Sequence, residues 1–270
     1  MTASELRSVA FETRDLMRAM KDELDPAAAG QVVVSGMLAE QLARQLSAGA
    51  DPGAVTVGDA SQLAGAAAVV HVIAGEPSSA DESRVRTADR AGVPVVLVQL
   101  WPQEDWTPPF VLSPFVIECR AGEGFPLEDI AGRLAEAAEH APALASRIPA
   151  LRDAVTRSVV RGATLRAALL GAAASRKGAS RPVLALEQAR LLARLRTMET
   201  PGATSEELPA LVGVAAAAVA ASFALREVAR TARGFLPAPL ANAAVAAAAT
   251  WALGEALRRW GQVLHSDTPV

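Results

Sequence analysis

The sequence predicts an α/β fold, a doubly wound and mostly parallel five-stranded sheet, followed by a second, all-α domain rich in alanine. Short apolar runs alternate with helical patterns between residues 31 and 140, which is typical of βαβ units. The runs at 67–73 and 93–98 are almost unbroken in their apolarity, as expected for strands buried on both faces. The remainder shows no strand-like alternation, so we divide the chain into domains at 1–149 and 150–270.

The first domain opens with a predicted amphipathic helix over about 3–24. Thr2 and Glu5 have the spacing of a capping box, and apolar residues then recur at helical intervals. This helix either packs on its own domain or presents an apolar stripe to a partner. Strands are then predicted at 32–34, 54–57, 67–74, 94–100 and 115–119, and helices at 37–47, 79–91 and 126–140.

The second domain is predicted to contain helices only. Pro182 stands at a first helical turn and Ser205 precedes two glutamates, which are helix start signals. At the domain boundary, Ala141-Pro142 and Ile148-Pro149 are expected to interrupt the helices and to leave residues 141–150 open to proteases. The predicted helices lie at about 151–175, 182–198, 205–231 and 238–262, and their alanine content predicts a compact bundle or hairpin.

Composition limits the classes of partner and site. The chain has 29 acidic and 26 basic residues, so its overall charge gives no reason to expect nucleic acid. Cys119, the single cysteine, cannot form an internal disulfide, and residues 1–6 lack the order of a signal peptide, so we expect a cytoplasmic protein. His71, His140 and His265 are not paired with another His or Cys at ligand spacing. We therefore expect structural or surface roles for them and no metal site.

The segment that begins at the first predicted strand is the most informative. An apolar strand, the turn residue Gly36 and a helix form the frame of the phosphate-binding motif GxxxxGK[ST]. Counted from Gly36, however, Gln41 replaces the second glycine, Leu42 the phosphate-binding lysine and Ala43 the magnesium-binding hydroxyl. A loop without these groups cannot bind a triphosphate or its metal, so we expect no cofactor and no catalytic residues.

The order of the later strands carries a resemblance to a known family. The segment 67–74 is similar to the strand that follows the second switch of a GTPase. Residues Val93 to Gln99 are similar to the strand that ends in the guanine-reading motif, and residues 116–125 are similar to the last strand and its turn. Over about residues 27–140 the chain thus resembles the small GTPase domain of the Era-like, translation-factor-related class, and its fold is expected to be G-domain-like.

The motifs of that family are replaced. Gln99-Leu100-Trp101-Pro102 stands where Asn-Lys-x-Asp reads guanine, Asp59-Ala60-Ser61-Gln62 stands for the switch Asp-x-x-Gly, and Arg120 replaces a serine of the last motif. Together with the missing lysine, these changes remove the parts that phosphoryl transfer uses. The resemblance therefore implies a pseudo-GTPase. An unrelated receiver-like or flavodoxin-like domain is the structural alternative.

Any contact surface or vestigial ligand site is expected at the carboxyl edge of the sheet, where open α/β sheets bind ligands. The loop from Trp101 to Phe110 contributes two tryptophans and either docks a partner or folds down on the protein. The candidate residues at this edge are Gly36, Gly75, Gln99, Trp101 and Trp106, with Ser35 and Ala74 at the ends of two strands.

Three segments of the second domain carry another resemblance. They are 166–174, 186–192 and the run from Phe223 through Phe235-Leu236-Pro237 to Ala256. In these segments the region of about 160–262 resembles the YcjF-type domain of unknown function, family 697, which commonly follows GTPase-like domains in bacteria. The resemblance implies association with membranes or with a GTPase partner, and no known catalytic activity.

Insertion of the C-terminal region into a membrane can be weighed from its charges. Residues 208–225 and 234–254 are uncharged over lengths that could span a bilayer. Arg226, Arg230 and Arg233 lie between them and would have to cross it, against the positive-inside rule. We therefore expect a soluble bundle, with a transmembrane hairpin or a peripheral helix pair as alternatives.

These observations predict a non-catalytic, cytoplasmic pseudo-GTPase that acts as an interaction or regulatory subunit. Its expected partner is a protein, an intact GTPase of similar build. The first alternative is a membrane-associated or membrane-anchoring module, peripheral to or inserted in the inner membrane through its C-terminal helix pair. The second is a small-ligand-binding protein or enzyme that uses the carboxyl edge of the sheet.

Overall fold

A computed structural model of the chain describes residues 29–58, 63–102, 115–120, 122–177, 180–199 and 237–266. The chain divides into two units, Met1–Val155 and Thr156–Val270. The predicted helices at 3–24 and 205–231 lie outside the described residues, as does most of the loop between Trp101 and Phe110.

The first unit contains a five-stranded sheet in which every described pair of strands is parallel. Its strands are β1 (Gln31–Gly36), β2 (Val55–Val57), β3 (Ala66–Ala74), β4 (Val95–Leu100) and β5 (Val116–Cys119), in the spatial order β2-β1-β3-β4-β5. This confirms the predicted doubly wound α/β fold. The chain reverses its direction of travel across the sheet between β1 and β3, so the topological switch point lies at the carboxyl ends of these two strands.

Among the described residues, three helices flank the sheet: α1 (Ala39–Leu46), α2 (Ser79–Arg90) and α3 (Leu127–Ala137). The crossovers β1-α1-β2 and β3-α2-β4 run in opposite directions across the sheet. Because such crossovers are right-handed, α1 and α2 lie on opposite faces. The carboxyl ends of the strands and the amino ends of the helices consequently meet at one edge.

Strand alternation gives each face of the sheet its own core. On the α2 face, Val33, Val69 and Val93 pack with Leu63 and Ala88 in one buried cluster. The alternate strand residues are buried as well, because helices cover both faces: Val32, Val34, Val70, Val72, Val96 and Val98 are each at most 1% exposed. This burial on both sides explains the nearly continuous apolar runs of the sequence.

The prediction that the prolines of residues 141–150 interrupt the helices is wrong. Helix α4 spans Ala141–Arg147, and a 3-10 turn follows at Pro149–Leu151. Both prolines stand in the first turn of their element, where no intrahelical N–H is needed, so they begin helical turns instead of breaking them. Residues 141–146 are buried, and the Arg147 guanidinium donates to the Gly30 carbonyl at 2.6 Å, which ties the segment to the start of β1.

In the described part of the helical region the helices are α5 (Arg152–Lys177), α6 (Ser180–Glu199) and α7 (Ala238–Ser266). In the second unit α5 and α7 run antiparallel and touch at glycines. A Cβ on Gly171 would lie 2.6 Å from the Asn242 carbonyl oxygen, and one on Gly254 would lie 2.7 Å from both Val160 methyl groups. The small residues therefore permit a close approach of the helices, as the alanine content predicted. Within the described residues, no helix combines the length and the hydropathy needed to cross a bilayer.

Candidate functional site

The turn between β1 and α1 closes the place where a phosphate-binding loop would lie. Gly36 has φ 92°, and a Cβ on it would lie 2.0 Å from the Val72 carbonyl oxygen, so the position admits only glycine. The Met37 amide donates to the same carbonyl at 2.9 Å, and α1 begins at Ala39. Only two residues separate the strand from the helix, and Leu42, in the place of the lysine, is fully buried in the core. The chain has no loop here that could surround phosphates.

Large apolar side chains lie exposed along the carboxyl edge. Val57 ends β2, Met37 and Leu38 follow β1, and Trp101 follows β4; their exposed fractions are 46%, 50%, 47% and 53%. We call these four residues the apolar rim. Three strand spacings of about 4.8 Å separate β2 from β4 in the sheet, so the rim extends over roughly 14 Å.

Two rim residues also have an unfavourable backbone conformation. Leu38 has φ 54° and Trp101 has φ 52°, and they are the only non-glycine residues of the described chain with positive φ. The Trp101 amide donates to the Cys119 carbonyl at 3.0 Å, which fixes this conformation beside β5. A bulky residue in the left-handed region costs about 1–2 kcal/mol. Such outliers cluster at sites where a protein binds something.

The structure separates the residues predicted for this edge. Gly36 and Gly75 form turns at the edge. Gly75 has φ 65°, and its amide donates to the Leu100 carbonyl at 3.1 Å. Trp101 belongs to the rim. Gln99 does not line the edge, because its side chain is buried at 2% exposure on the α2 face. Its Nε2 has no hydrogen-bond partner among the residues that the structure describes. Trp106 lies outside the described residues.

A chain of polar side chains that the sequence analysis did not connect lies just below this edge. Ser35 and His71 are register partners on β1 and β3, and Ser35 Oγ is 2.8 Å from His71 Nδ1. His71 Nε2 is 2.9 Å from Asp81 Oδ1, in the first turn of α2. Asp81 Oδ2 accepts from the Ser78 amide at 2.8 Å and from the Ser78 hydroxyl at 2.7 Å. The network thus ends in the capping box of α2.

Burial sets the charges of this network. Desolvation lowers the pKa of His71 below its usual 6.5 and outweighs the hydrogen bond to Asp81, which raises it; Arg84 nearby lowers the pKa further. Burial raises the pKa of Asp81, but its hydrogen bonds with Ser78 and His71 outweigh this, and the pKa is lowered from 3.8. At neutral pH, the neutral imidazole therefore donates from Nε2 to the carboxylate and accepts from the Ser35 hydroxyl at Nδ1.

Serine, histidine and aspartate in this order are the residue types of a nucleophilic triad. The surroundings favour a structural role. Ser35 and His71 are 7% and 1% exposed, and the adjoining cavity, between β1, β3 and α2, has a volume of about 10 Å³. That volume holds about one water molecule, so there is no room for a substrate. The network fixes the amino end of α2 to β1 and β3.

One signal in the sequence could have revealed this network. Ser35 and His71 are polar residues in otherwise apolar strands, and buried polar groups need partners. From the sequence, His71 was expected to have a structural or surface role, and no partner was predicted for it, because Asp81 lies on a helix and Ser35 on another strand.

The described residues contain no group of three or more His, Cys, Asp or Glu side chains that could hold a metal ion. No protein-family model, curated protein or solved structure matches the chain.

Proposed function

We propose that this protein is a non-catalytic interaction subunit whose apolar rim binds a protein partner. The observation that carries the proposal is the conformation of Leu38 and Trp101, two large apolar residues that are both exposed and both left-handed. Water exposure and backbone strain each disfavour such side chains, so stability alone does not account for them. Burial of the rim in an interface would offset both costs.

The shape of the edge supports a protein partner over a nucleotide. The closed turn at Gly36 leaves no loop for phosphates, and the position of the phosphate-binding lysine is a core leucine. Aromatic and large apolar side chains on a firm backbone are the usual anchors of protein interfaces. The rim presents them where a GTPase would hold its nucleotide.

The proposed partner is an intact GTPase of similar build. G domains often pair through their nucleotide faces, and a degenerate domain can complete such an interface without a nucleotide of its own. This step follows from the resemblance of the sequence to the Era-like class and is an argument by analogy.

The test uses substitutions that should remove apolar contact without harming the fold. Asparagine tolerates left-handed backbone, so Leu38→Asn and Trp101→Asn relieve strain while deleting the anchors. Leu169→Asn is the control, since Leu169 is 64% exposed on α5, far along the chain from the rim. Binding is measured by calorimetry against purified GTPases of the Era-like class from the same cell, loaded with GTP or GDP.

We expect each rim variant to bind such a GTPase at least roughly tenfold more weakly, as for an interface anchor, and the control to bind normally. The free energy of unfolding of the rim variants should equal or exceed that of the wild type. Absence of binding by the wild type to any of these GTPases would reject the GTPase partner. Equal loss in the control would reject the rim as the binding surface.

The pseudo-GTPase part of the proposal has its own test. The protein should show no saturable binding of GTP or GDP in the presence of Mg²⁺, and no hydrolysis. A dissociation constant of about a micromolar or tighter, near 8 kcal/mol of binding free energy, would overturn it.

A second candidate function, membrane association, is favoured by α7. Between Pro239 and Ala256 the exposed residues of this helix include no charged side chain: they are Pro239, Leu240, Ala244, Ala248, Trp251, Ala252 and Ala256. The second unit contains 14 basic and 7 acidic residues, a net charge of +7, which suits an anionic lipid surface. A helix with this face would lie on a membrane instead of crossing it.

Vesicle sedimentation would test this candidate. Binding to vesicles with about a third phosphatidylglycerol, loss of binding to pure phosphatidylcholine, and weakening by Trp251→Gln would support it. We expect release of the bound protein by alkaline carbonate, whereas retention would indicate insertion. No sedimentation with either vesicle would reject the membrane function.

A further inference from the structure

A cleft opens at the amino edge of the sheet, on the side opposite the apolar rim. Its volume is about 550 Å³, within the range of small-molecule sites. It lies between the amino ends of β1, β3 and β4, the end of α2, and the residues that follow α3. Neither the turn at Gly36 nor the Ser35–His71–Asp81 network borders it.

The walls of the cleft combine small apolar side chains with polar groups. Ala29, Ala66, Ala67, Val93 and Pro94 supply the apolar part. Gly65 and Gly92 form turns at its border, with φ 77° and 69°, and a Cβ on either would meet no atom within 4 Å. The alanine, valine and proline side chains can contact a short hydrocarbon chain, while the polar surface of the cleft is slightly larger than its apolar surface.

The charged groups of the cleft are all negative. Of the described residues that line it, only Asp89 and Glu139 carry charged side chains, and both are exposed. The first unit as a whole contains 22 acidic and 12 basic residues, a net charge of −10. Its field therefore favours a cation over an anion.

The helix dipoles act in the same direction. Asp89 stands in the last turn of α2, and Glu139 follows the end of α3 by two residues. The carboxyl end of a helix carries partial negative charge, so a carboxylate there is unfavourable unless a cation balances it. Two such carboxylates border the cleft and favour a cation there; Arg90, in the same last turn as Asp89, offsets part of their charge.

A further polar atom at the cleft lacks a partner. His140 lines the cleft, and its Nδ1 is buried with no hydrogen-bond partner among the described residues. A buried polar atom without a partner is uncommon in folded proteins. Because this atom has almost no accessible surface, it adds no contact for a ligand in the cleft.

We propose that this cleft binds a small organic cation, an ammonium or guanidinium group on a short hydrocarbon body. The carboxylates of Asp89 and Glu139 bind the cationic group, and the alanine, valine and proline wall packs against the hydrocarbon. The inference is independent of the rim, because the two sites lie at opposite edges of the sheet.

Titration calorimetry with agmatine on the full-length protein tests the proposal, with valerate and 1-butanol as anionic and neutral probes. The variant is Asp89→Asn with Glu139→Gln, two exposed positions whose change should leave the fold intact, as circular dichroism can verify. The matched control, Glu40→Gln with Glu76→Gln, removes two exposed carboxylates at the carboxyl edge of the same unit.

We expect saturable binding of agmatine, no binding of valerate or 1-butanol, at least a tenfold weaker affinity in the cleft variant, and an unchanged affinity in the control. Absence of saturable agmatine binding would overturn the proposal. Equal weakening in both double variants would also overturn it, because binding would then report the net charge of the unit and not the cleft. The GTPase assay of the rim is unaffected by either result.

Discussion

His71 Nε2 lies 2.9 Å from Asp81 Oδ1, which ties the middle of β3 to the first turn of α2. The opposite ring nitrogen bonds Ser35 on β1, so one buried imidazole joins two strands and a helix. Both ring nitrogens are occupied, and the ring is 1% exposed. We therefore expect that removal or protonation of any member of this network destabilises the first unit.

The stability of the protein should fall on mild acidification. Burial lowers the pKa of His71 in the folded protein below the 6.5 of the unfolded chain, so below that pH the unfolded chain binds a proton that the folded protein excludes. Stability is then complete above about pH 7 and declines as the pH falls through 6.5 toward the lower folded pKa. Urea unfolding between pH 8 and pH 5 measures this.

His71→Gln is the comparison for that experiment. The variant should be less stable at pH 8 because it loses the network, and its stability should depend less on pH between 7 and 5. Parallel pH profiles of the variant and the wild type would show that His71 does not cause the decline. Asp81, whose pKa is lowered from 3.8, should add a second loss of stability below that pH.

Ser35→Ala should destabilise the protein by about 1–3 kcal/mol, because it leaves His71 Nδ1 buried without a partner. Ser47→Ala is the matched control. Its hydroxyl bonds the Ala43 carbonyl within the same turn of chain and is only partly buried, so its loss should cost much less. The free energy of unfolding in urea gives both values. Similar values for the two serines would contradict the role assigned to the network.

Gly36→Ala should be among the most damaging single changes in the chain, at roughly 4 kcal/mol or more. The added Cβ would meet the Val72 carbonyl oxygen at 2.0 Å, and the residue also has φ 92°. Gly53 shares the positive φ, at 75°, but has open space around it, so Gly53→Ala should cost only about 1 kcal/mol of strain. Thermal unfolding compares the two, and equal effects would argue against the tight β1–α1 turn.

Two glycines of α5 should respond to alanine with opposite signs. At Gly171 the Cβ would lie 2.6 Å from the Asn242 carbonyl and 2.9 Å from Ala246 Cβ, so Gly171→Ala should push α7 away and destabilise the second unit. At Gly162 the nearest atom is the flexible end of Arg166, at 3.4 Å, and Gly162→Ala should stabilise the helix by about 0.5–1 kcal/mol. Stabilisation by both changes would contradict the α5–α7 contact.

The fold was predictable because its evidence is local. Val32, Val33 and Val34 ahead of Gly36, and the long apolar run that becomes β3, already indicate strands covered on both faces. The absence of a phosphate-binding lysine was equally readable, since Leu42 stands at a fixed distance from Gly36. The prediction of interrupted helices at the domain boundary was wrong because Pro142 and Pro149 were interpreted as helix breakers, although proline is well suited to the first turn of a helix.

By itself the sequence determined the alternation of strands and helices, the change to an alanine-rich helical region, and the absence of a complete phosphate-binding motif. Only the tertiary structure decided that Ser35, His71 and Asp81 meet, that Leu38 and Trp101 share one exposed edge, and that Asp89 and Glu139 border one cleft. Hydrophobic periodicity reports which face of an element is buried, and it is a property of neighbouring residues. Proximity between residues 36 positions apart, such as Ser35 and His71, depends on strand order and register, which only the packed sheet fixes.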